Sequence, residues 1–128
     1  MKVLLDTHTL LWFIHGDERL SPRSREIILD HLSQLYYSMV SIWEITIKES
    51  LGKIELSKNW LGTIESELIA NGVQRAVIDF KTFKTLSSLP FHHRDPFDRL
   101  LISQAMSNDM TLLSRDTILK QYTVNVIW

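Results

Sequence analysis

The 128-residue sequence contains no cysteine. Disulfides and thiolate metal sites are therefore excluded. Glycine and proline are scarce, at four and three residues, and the chain shows no linker, low-complexity segment or internal repeat. No apolar run approaches the ~18 residues of a membrane helix. A signal peptide is not expected either, because Asp6 interrupts the apolar stretch Val3-Leu4-Leu5 too early. The expectation from these absences is a cytoplasmic protein with no membrane association. An excess of charge is missing as well: 14 basic and 15 acidic residues leave a net −1. The chain as a whole exerts no pull on nucleic acid, so any phosphate-backbone binding needs a local basic patch.

What is present is an ordinary globular balance, 45% hydrophobic and 23% charged. That balance argues against disorder, and the length suits a single domain over residues 1–128 with a substantial core. The most informative stretch is Asp95-Pro96-Phe97-Asp98-Arg99-Leu100-Leu101-Ile102-Ser103-Gln104-Ala105. Asp95 is a good N-cap, and Pro96 suits the first helical position, where its missing N–H costs nothing. Phe97, Leu100, Leu101, Ile102, Ala105 and Met106 recur at helical spacing, so this helix anchors a core and ends near Asn108-Asp109.

The rest of the chain reads as alternating strands and helices. Residues 2–6 are a short buried strand ending in Asp6, followed by an apolar helix from Thr7 to Ile14 that Gly16 stops. Ser21-Pro22 launches a second helix through Leu32. Gln34 to Ser38 suits a strand. Ser41-Ile42-Trp43-Glu44 fits a capping box, with a helix continuing to Gly52. Ser57 is expected to cap a helix burying Trp60, Leu61, Ile64, Leu68 and Ile69, stopped by Asn71-Gly72. Val73 to Ile78 is a strand, Asp79 caps a helix to about Leu86, and 89–94 is loop. Thr111 to Ser114 is a strand, Arg115 to Gln121 a short helix, and Val124 to Ile127 a last strand. No hairpin signal joins any two strands. The fold class predicted is α/β: a three-layer sandwich around a roughly five-stranded parallel sheet.

In such sheets ligands bind beyond the C-terminal strand ends. Asp6 ends the first strand, Glu44 lies a helical turn past the second, Asp98 opens the helix before the fourth, and Asp116 follows the fourth by two residues. All four carboxylates reach the same rim. Clustered carboxylates repel unless a positive charge sits among them, and a hard cation with oxygen ligands, Mg²⁺ or Mn²⁺, answers that need. Such an ion activates water against a phosphodiester. A competing reading exists for three of them: Glu44, Asp98 and Asp116 also sit where acids satisfy helix N-termini. Asp6 differs, since a carboxylate ending an apolar strand needs a partner. His92 and His93 read as surface loop residues. Lys48, Lys53, Arg94, Arg99 and Arg115 are candidates for a basic rim, or simply solvated. Trp12, Trp43 and Trp60 read as core or dimer contacts. Ser114 either orients a metal-bound water or caps the last helix.

Four segments in order resemble the PIN-domain signature: Leu4-Leu5-Asp6-Thr7-His8-Thr9-Leu10-Leu11-Trp12, Ser41-Ile42-Trp43-Glu44-Ile45, His93-Arg94-Asp95-Pro96-Phe97-Asp98-Arg99-Leu100-Leu101-Ile102 and Thr111-Leu112-Leu113-Ser114-Arg115-Asp116. The ordered set spans essentially the whole chain and is most similar to VapC-type toxins of bacterial type II toxin–antitoxin pairs. The resemblance implies a Mg²⁺- or Mn²⁺-dependent endoribonuclease cutting an RNA substrate, held inactive by a cognate antitoxin, commonly homodimeric. It assigns the catalytic and metal-binding acids to Asp6, Glu44, Asp98 and Asp116. Two other functions compete. A PIN-like binding module without catalysis would be favoured by loss of one acid, and none is lost. A phosphoacceptor signalling domain wants an adjacent acidic pair by the first strand, which Asp6-Thr7-His8 lacks.

Overall fold

A computed structural model describes residues 1–128. Five strands form one sheet in the order β3-β2-β1-β4-β5: β1 (Lys2–Leu5), β2 (Gln34–Tyr37), β3 (Gln74–Arg75), β4 (Thr111–Leu113) and β5 (Val126–Ile127). Every pairing is parallel, with Leu4 opposite both Tyr36 and Leu112. Six helices connect them: α1 (Thr7–His15), α2 (Pro22–Leu29), α3 (Met39–Ser50), α4 (Trp60–Ala70), α5 (Phe80–Ser87) and α6 (Pro96–Ser107). The predicted α/β sandwich with a five-stranded parallel sheet is the fold observed.

Strand alternation sorts the core into two layers. Val3, Leu5, Leu35 and Leu113 face α1 to α4, packing on Leu10, Ile28, Ile45, Ile64 and Leu68. Leu4 and Leu112 point the other way, onto Leu101, Ile102 and Ala105 of α6. β1 lies at the centre: the chain winds out through β2 and β3, then returns to β1's other side with β4. The crevice where this direction reverses, beyond Leu5 and Leu113, is where an open parallel sheet offers a site.

Several helix ends follow their sequence signals. Asp95 Oδ1 accepts from the amides of Phe97 and Asp98, with Pro96 at the first helical position. Ser21 caps α2 through the Ser24 amide. Asp79 and Thr82 form a reciprocal capping box on α5. Gly16 ends α1 with φ 62°, a left-handed conformation that suits glycine.

Other ends correct the sequence reading. Helix α3 begins at Met39, not after Ser41: Ser38 caps it, accepting from Val40 N–H. The chain turns into the helix directly from β2, which puts Ser41 inside the first turn and Glu44 in the second. Ser57 does not cap α4. Its carbonyl accepts from Trp60 N–H in a preceding turn, and Asn59 flanks the helix without a side-chain cap. In α4 only Trp60, Ile64 and Leu68 are buried, a strict i, i+4 stripe, while Leu61 and Ile69 are exposed. Helix α2 stops at Leu29 because Asp30 Oδ1 takes the Leu32 amide into a turn. The edge strands β3 and β5 are two residues each, shorter than predicted. The last helix is a 3₁₀ turn over Thr117–Gln121. Trp12 and Trp60 are core residues, whereas Trp43 is exposed and edges onto Phe97.

Candidate metal and catalytic centre

Asp6 is the first residue beyond β1, and its amide extends the pairing by donating to Leu113 O at 3.2 Å. Its side chain caps α1 by accepting from Thr9 N–H at 2.9 Å. The sequence reading starts this helix at Thr7 without naming its cap. Asp6 is buried, and burial raises its pKa above the ordinary carboxylate value, against the opposing hydrogen bonds from Ser114 and Thr9. Ser114 thus serves Asp6, and its hydroxyl also accepts from the Asp116 amide.

Glu44 projects from α3 into the same rim and is buried. Thr7, one residue after Asp6, donates to its Oε1 at 2.7 Å. Lys48, one turn along α3, holds its Oε2 at 2.6 Å. The capping-box reading of Glu44 fails, because both oxygens are committed elsewhere and Ser41 is not the cap. Lys48, read from the sequence as a basic-rim candidate, is instead the partner of Glu44, and a Glu four positions before a Lys on one helix is a legible signal for that pairing.

Asp98 stands in the first turn of α6, but its carboxylate does not reach back to the Asp95 amide. It turns to His93, whose Nε2 lies 2.8 Å from Asp98 Oδ2. The same Nε2 is 3.4 Å from Asp116 Oδ2. Asp116 caps the 3₁₀ turn, its Oδ1 accepting from Ile118 N–H, while its Oδ2 stays turned toward His93. The reading of His93 as a plain surface residue is therefore corrected. Nothing local marks it; only the path of the loop brings it inward. Arg99 is also corrected: it is buried beneath the 89–94 loop rather than on a basic rim.

Ligand atoms of His93, Asp98 and Asp116 lie within 4.8 Å of one another. Asp6 and Glu44 stand outside this tightest group, yet close enough to act on Asp98. Burial first, then the charges of Asp95 and Asp6, push the Asp98 pKa up to about 7; the His93 hydrogen bond opposes this and Glu44 adds to it. A carboxyl raised so far marks a place short of positive charge. Beside the His93 imidazole the potential donors are carboxylate oxygens, with no thiolate, which fits a hard divalent cation. A cleft of about 280 Å³ opens over Asp6, His8, Trp12, Arg115 and Asp116. A larger apolar groove of about 470 Å³, between the start of α3 and α4, includes none of the acids.

Comparison with known proteins bears on this arrangement. No curated protein matches the sequence. Solved structures do match in fold. A chain of the VapBC2 structure from Rickettsia felis, bound to a DNA fragment from their promoter, aligns with a TM-score of 0.75 at 13% identity, over 99% of this chain and 98% of that one. A chain of VapBC-1 from nontypeable Haemophilus influenzae gives 0.69 at 17% identity, over 99% and 97%. DNA-bound VapBC from Salmonella typhimurium gives 0.67 at 14%, again over 99% and 97%. The PIN domain model matches residues 3–125. That match takes in Asp6, Glu44, Asp98 and Asp116 together with all the elements that carry them up to the last strand, and the chain belongs to the PIN domain family.

Proposed function

We propose that the protein is a metal-dependent endoribonuclease and the toxin of a type II toxin–antitoxin pair. The observation that carries the nuclease reading is the meeting of Asp6, Glu44, Asp98 and Asp116, from four separate elements, at the reversal point of a parallel sheet. These four are the proposed metal-holding and catalytic acids. A bound Mg²⁺ or Mn²⁺ would supply an activated water and offset charge on the scissile phosphate.

The chain's own groups prepare that site. Asp6 is aimed by Ser114 and the Thr9 amide. Glu44 is fixed between Thr7 and Lys48. Asp6 and Asp98 are both held above the ordinary carboxylate range, first of all by burial, so theirs are the charge states that respond when the ion enters. Arg115, at the edge of the cleft with Asp116, is placed to meet an RNA phosphate.

The toxin reading rests on the structural neighbours, which are VapBC complexes. For this chain the corresponding partner is a cognate antitoxin, with a second copy completing a homodimer. Action on cellular RNA puts the protein in the cytoplasm. Expression alone is expected to arrest growth, and co-expression of the adjacent small reading frame to restore it. Purified protein should cleave single-stranded RNA in Mn²⁺, and Asp6→Asn should abolish both cleavage and arrest. Equal harmlessness of the wild type and Asp6→Asn at matched expression would overturn the toxin reading. RNA binding without cleavage in Mn²⁺ would instead favour a PIN-like binding module.

A further inference from the structure

The loop 89–94 has no regular secondary structure, so its backbone groups need partners from elsewhere. Arg99 and Tyr122 supply them. Arg99 is buried without a carboxylate partner, and its guanidinium is spent on loop carbonyls: Nη1 donates to Pro90 O at 2.7 Å and Nη2 to Leu89 O at 3.1 Å. Nη1 also lies 3.4 Å from His93 O and from the Tyr122 hydroxyl. Phe91 covers the guanidinium from outside, 3.9 Å from its ring centre. Tyr122, itself buried, accepts the His93 amide on its hydroxyl at 2.8 Å. One backbone position of the loop is thus fastened from two sides, and it is the one carrying the imidazole.

The ring's two nitrogens have different partners. Nδ1 faces the Arg94 amide at 3.1 Å, so it carries the lone pair. In the neutral ring the hydrogen then sits on Nε2, which faces Asp98 Oδ2 at 2.8 Å and Asp116 Oδ2 at 3.4 Å. A nitrogen that donates a hydrogen has no lone pair for a cation. We propose that His93 is a positioning residue: its Nε2–H donates to Asp98 and lies beside Asp116, which keeps the two acids together, without ligating the metal itself, and it is held at that task by Arg99 and Tyr122. The inference rests on the metal-dependent reading of the acids. Asp98 comes from α6 and Asp116 from the loop after β4, and their like charges separate unless a donor bridges them. Partners of this kind around metal-binding groups are typically worth about 10–100-fold in affinity.

The test is Mn²⁺ binding by calorimetry to the metal-free full-length chain, for the wild type, His93→Ala and His93→Gln. Circular dichroism checks the fold of each. The alanine variant should bind Mn²⁺ at least ~10-fold more weakly. Glutamine, whose terminal amide reaches as Nε2 does, should recover most of the loss. Tyr122→Phe touches no acid and should weaken binding by a smaller factor. Long-range proton–nitrogen NMR on the metal-free wild type should show the Nε2–H tautomer. Unchanged affinity in His93→Ala overturns the proposal, as does a glutamine variant no better than alanine or an Nδ1–H ring. A wild type that binds no Mn²⁺ overturns the metal reading along with it, whereas tight wild-type binding with an indifferent His93→Ala sinks the positioning role alone.

Discussion

Asp98 concentrates the residue-scale physics of the site. Its carboxyl is raised to about 7 from an ordinary 3.8 because it is buried among Asp95, Asp6 and Glu44. In the metal-free protein the folded chain therefore keeps a proton that the unfolded chain has already released. The Asp98 contribution to stability must fall as pH rises from about 4 to about 7, and level off above that. The upward displacement of Asp6 works in the same direction. Asp17, drawn down to about 2 by Arg19, acts only below this window. Asp98→Asn removes the penalty while keeping the shape. Urea melts in EDTA at pH 8 should show the variant at least as stable as the wild type, with a gain of up to about 4 kcal/mol. The same preparation should lose Mn²⁺ binding and RNA cleavage. A residue that merely offset the helix dipole would behave oppositely, losing about 0.3–1 kcal/mol with activity retained. Asp6→Asn is the cleaner companion, because asparagine caps a helix as well as aspartate does and the Thr9 bond survives.

At the scale of elements, the start of α3 decides where Glu44 points. Starting at Met39 puts Glu44 one turn deeper than a Ser41 cap would. There its carboxylate lies between Thr7 at the head of α1 and Lys48 of its own helix. Ser38→Ala should therefore cost about 1 kcal/mol in a urea melt, through loss of the bond to Val40 N–H. A Ser41→Ala change should leave the helix start intact. If the costs are reversed, with Ser41 carrying the cap, the placement of Glu44 is wrong. Helix α6 is the opposite case. Its Asp95-Pro96 opening is unambiguous in sequence, and the structure keeps it to the residue. That fixed start sets the direction of Asp98 and, through Arg99 on the same turn, the course of the loop above it.

For the whole molecule, the central position of β1 matters most. Neighbours on both sides, β2 and β4, bring the ends of three strands together, and the acids gather there. The chain's own groups hold that gathering in place: Lys48 on Glu44, hydrogen bonds to Asp6, and His93 beside Asp98 and Asp116. A divalent ion should then stabilise the folded chain by mass action, by about 2.7 kcal/mol at a hundredfold excess over its dissociation constant. Thermal melts with rising Mn²⁺ should move upward and return with EDTA, and Asp6→Asn and Asp98→Asn should not respond. A wild-type melting temperature indifferent to Mn²⁺ and Mg²⁺ would remove the metal from the account.

The sequence by itself determined the alternation of strands and helices, the parallel sheet and the capped openings of α2, α5 and α6. Each of these is set by contiguous residues: a period of hydrophobicity, an N-cap, a proline. It also named the four acids as candidates, since an acid just beyond a buried strand or opening a helix is a local pattern. Tertiary structure alone decided which of two serines caps α3, that the edge strands shrink to two residues, and that Arg99 lies under a loop instead of at the surface. It alone brought His93 to Asp98 and Asp116. His93 and Asp116 are separated by a whole helix and a strand, and nothing in either segment encodes the other's position. Their meeting depends on the crossover that returns β4 to the side of β1, on the packing of α6, and on the Arg99 and Tyr122 bonds that close the loop over it.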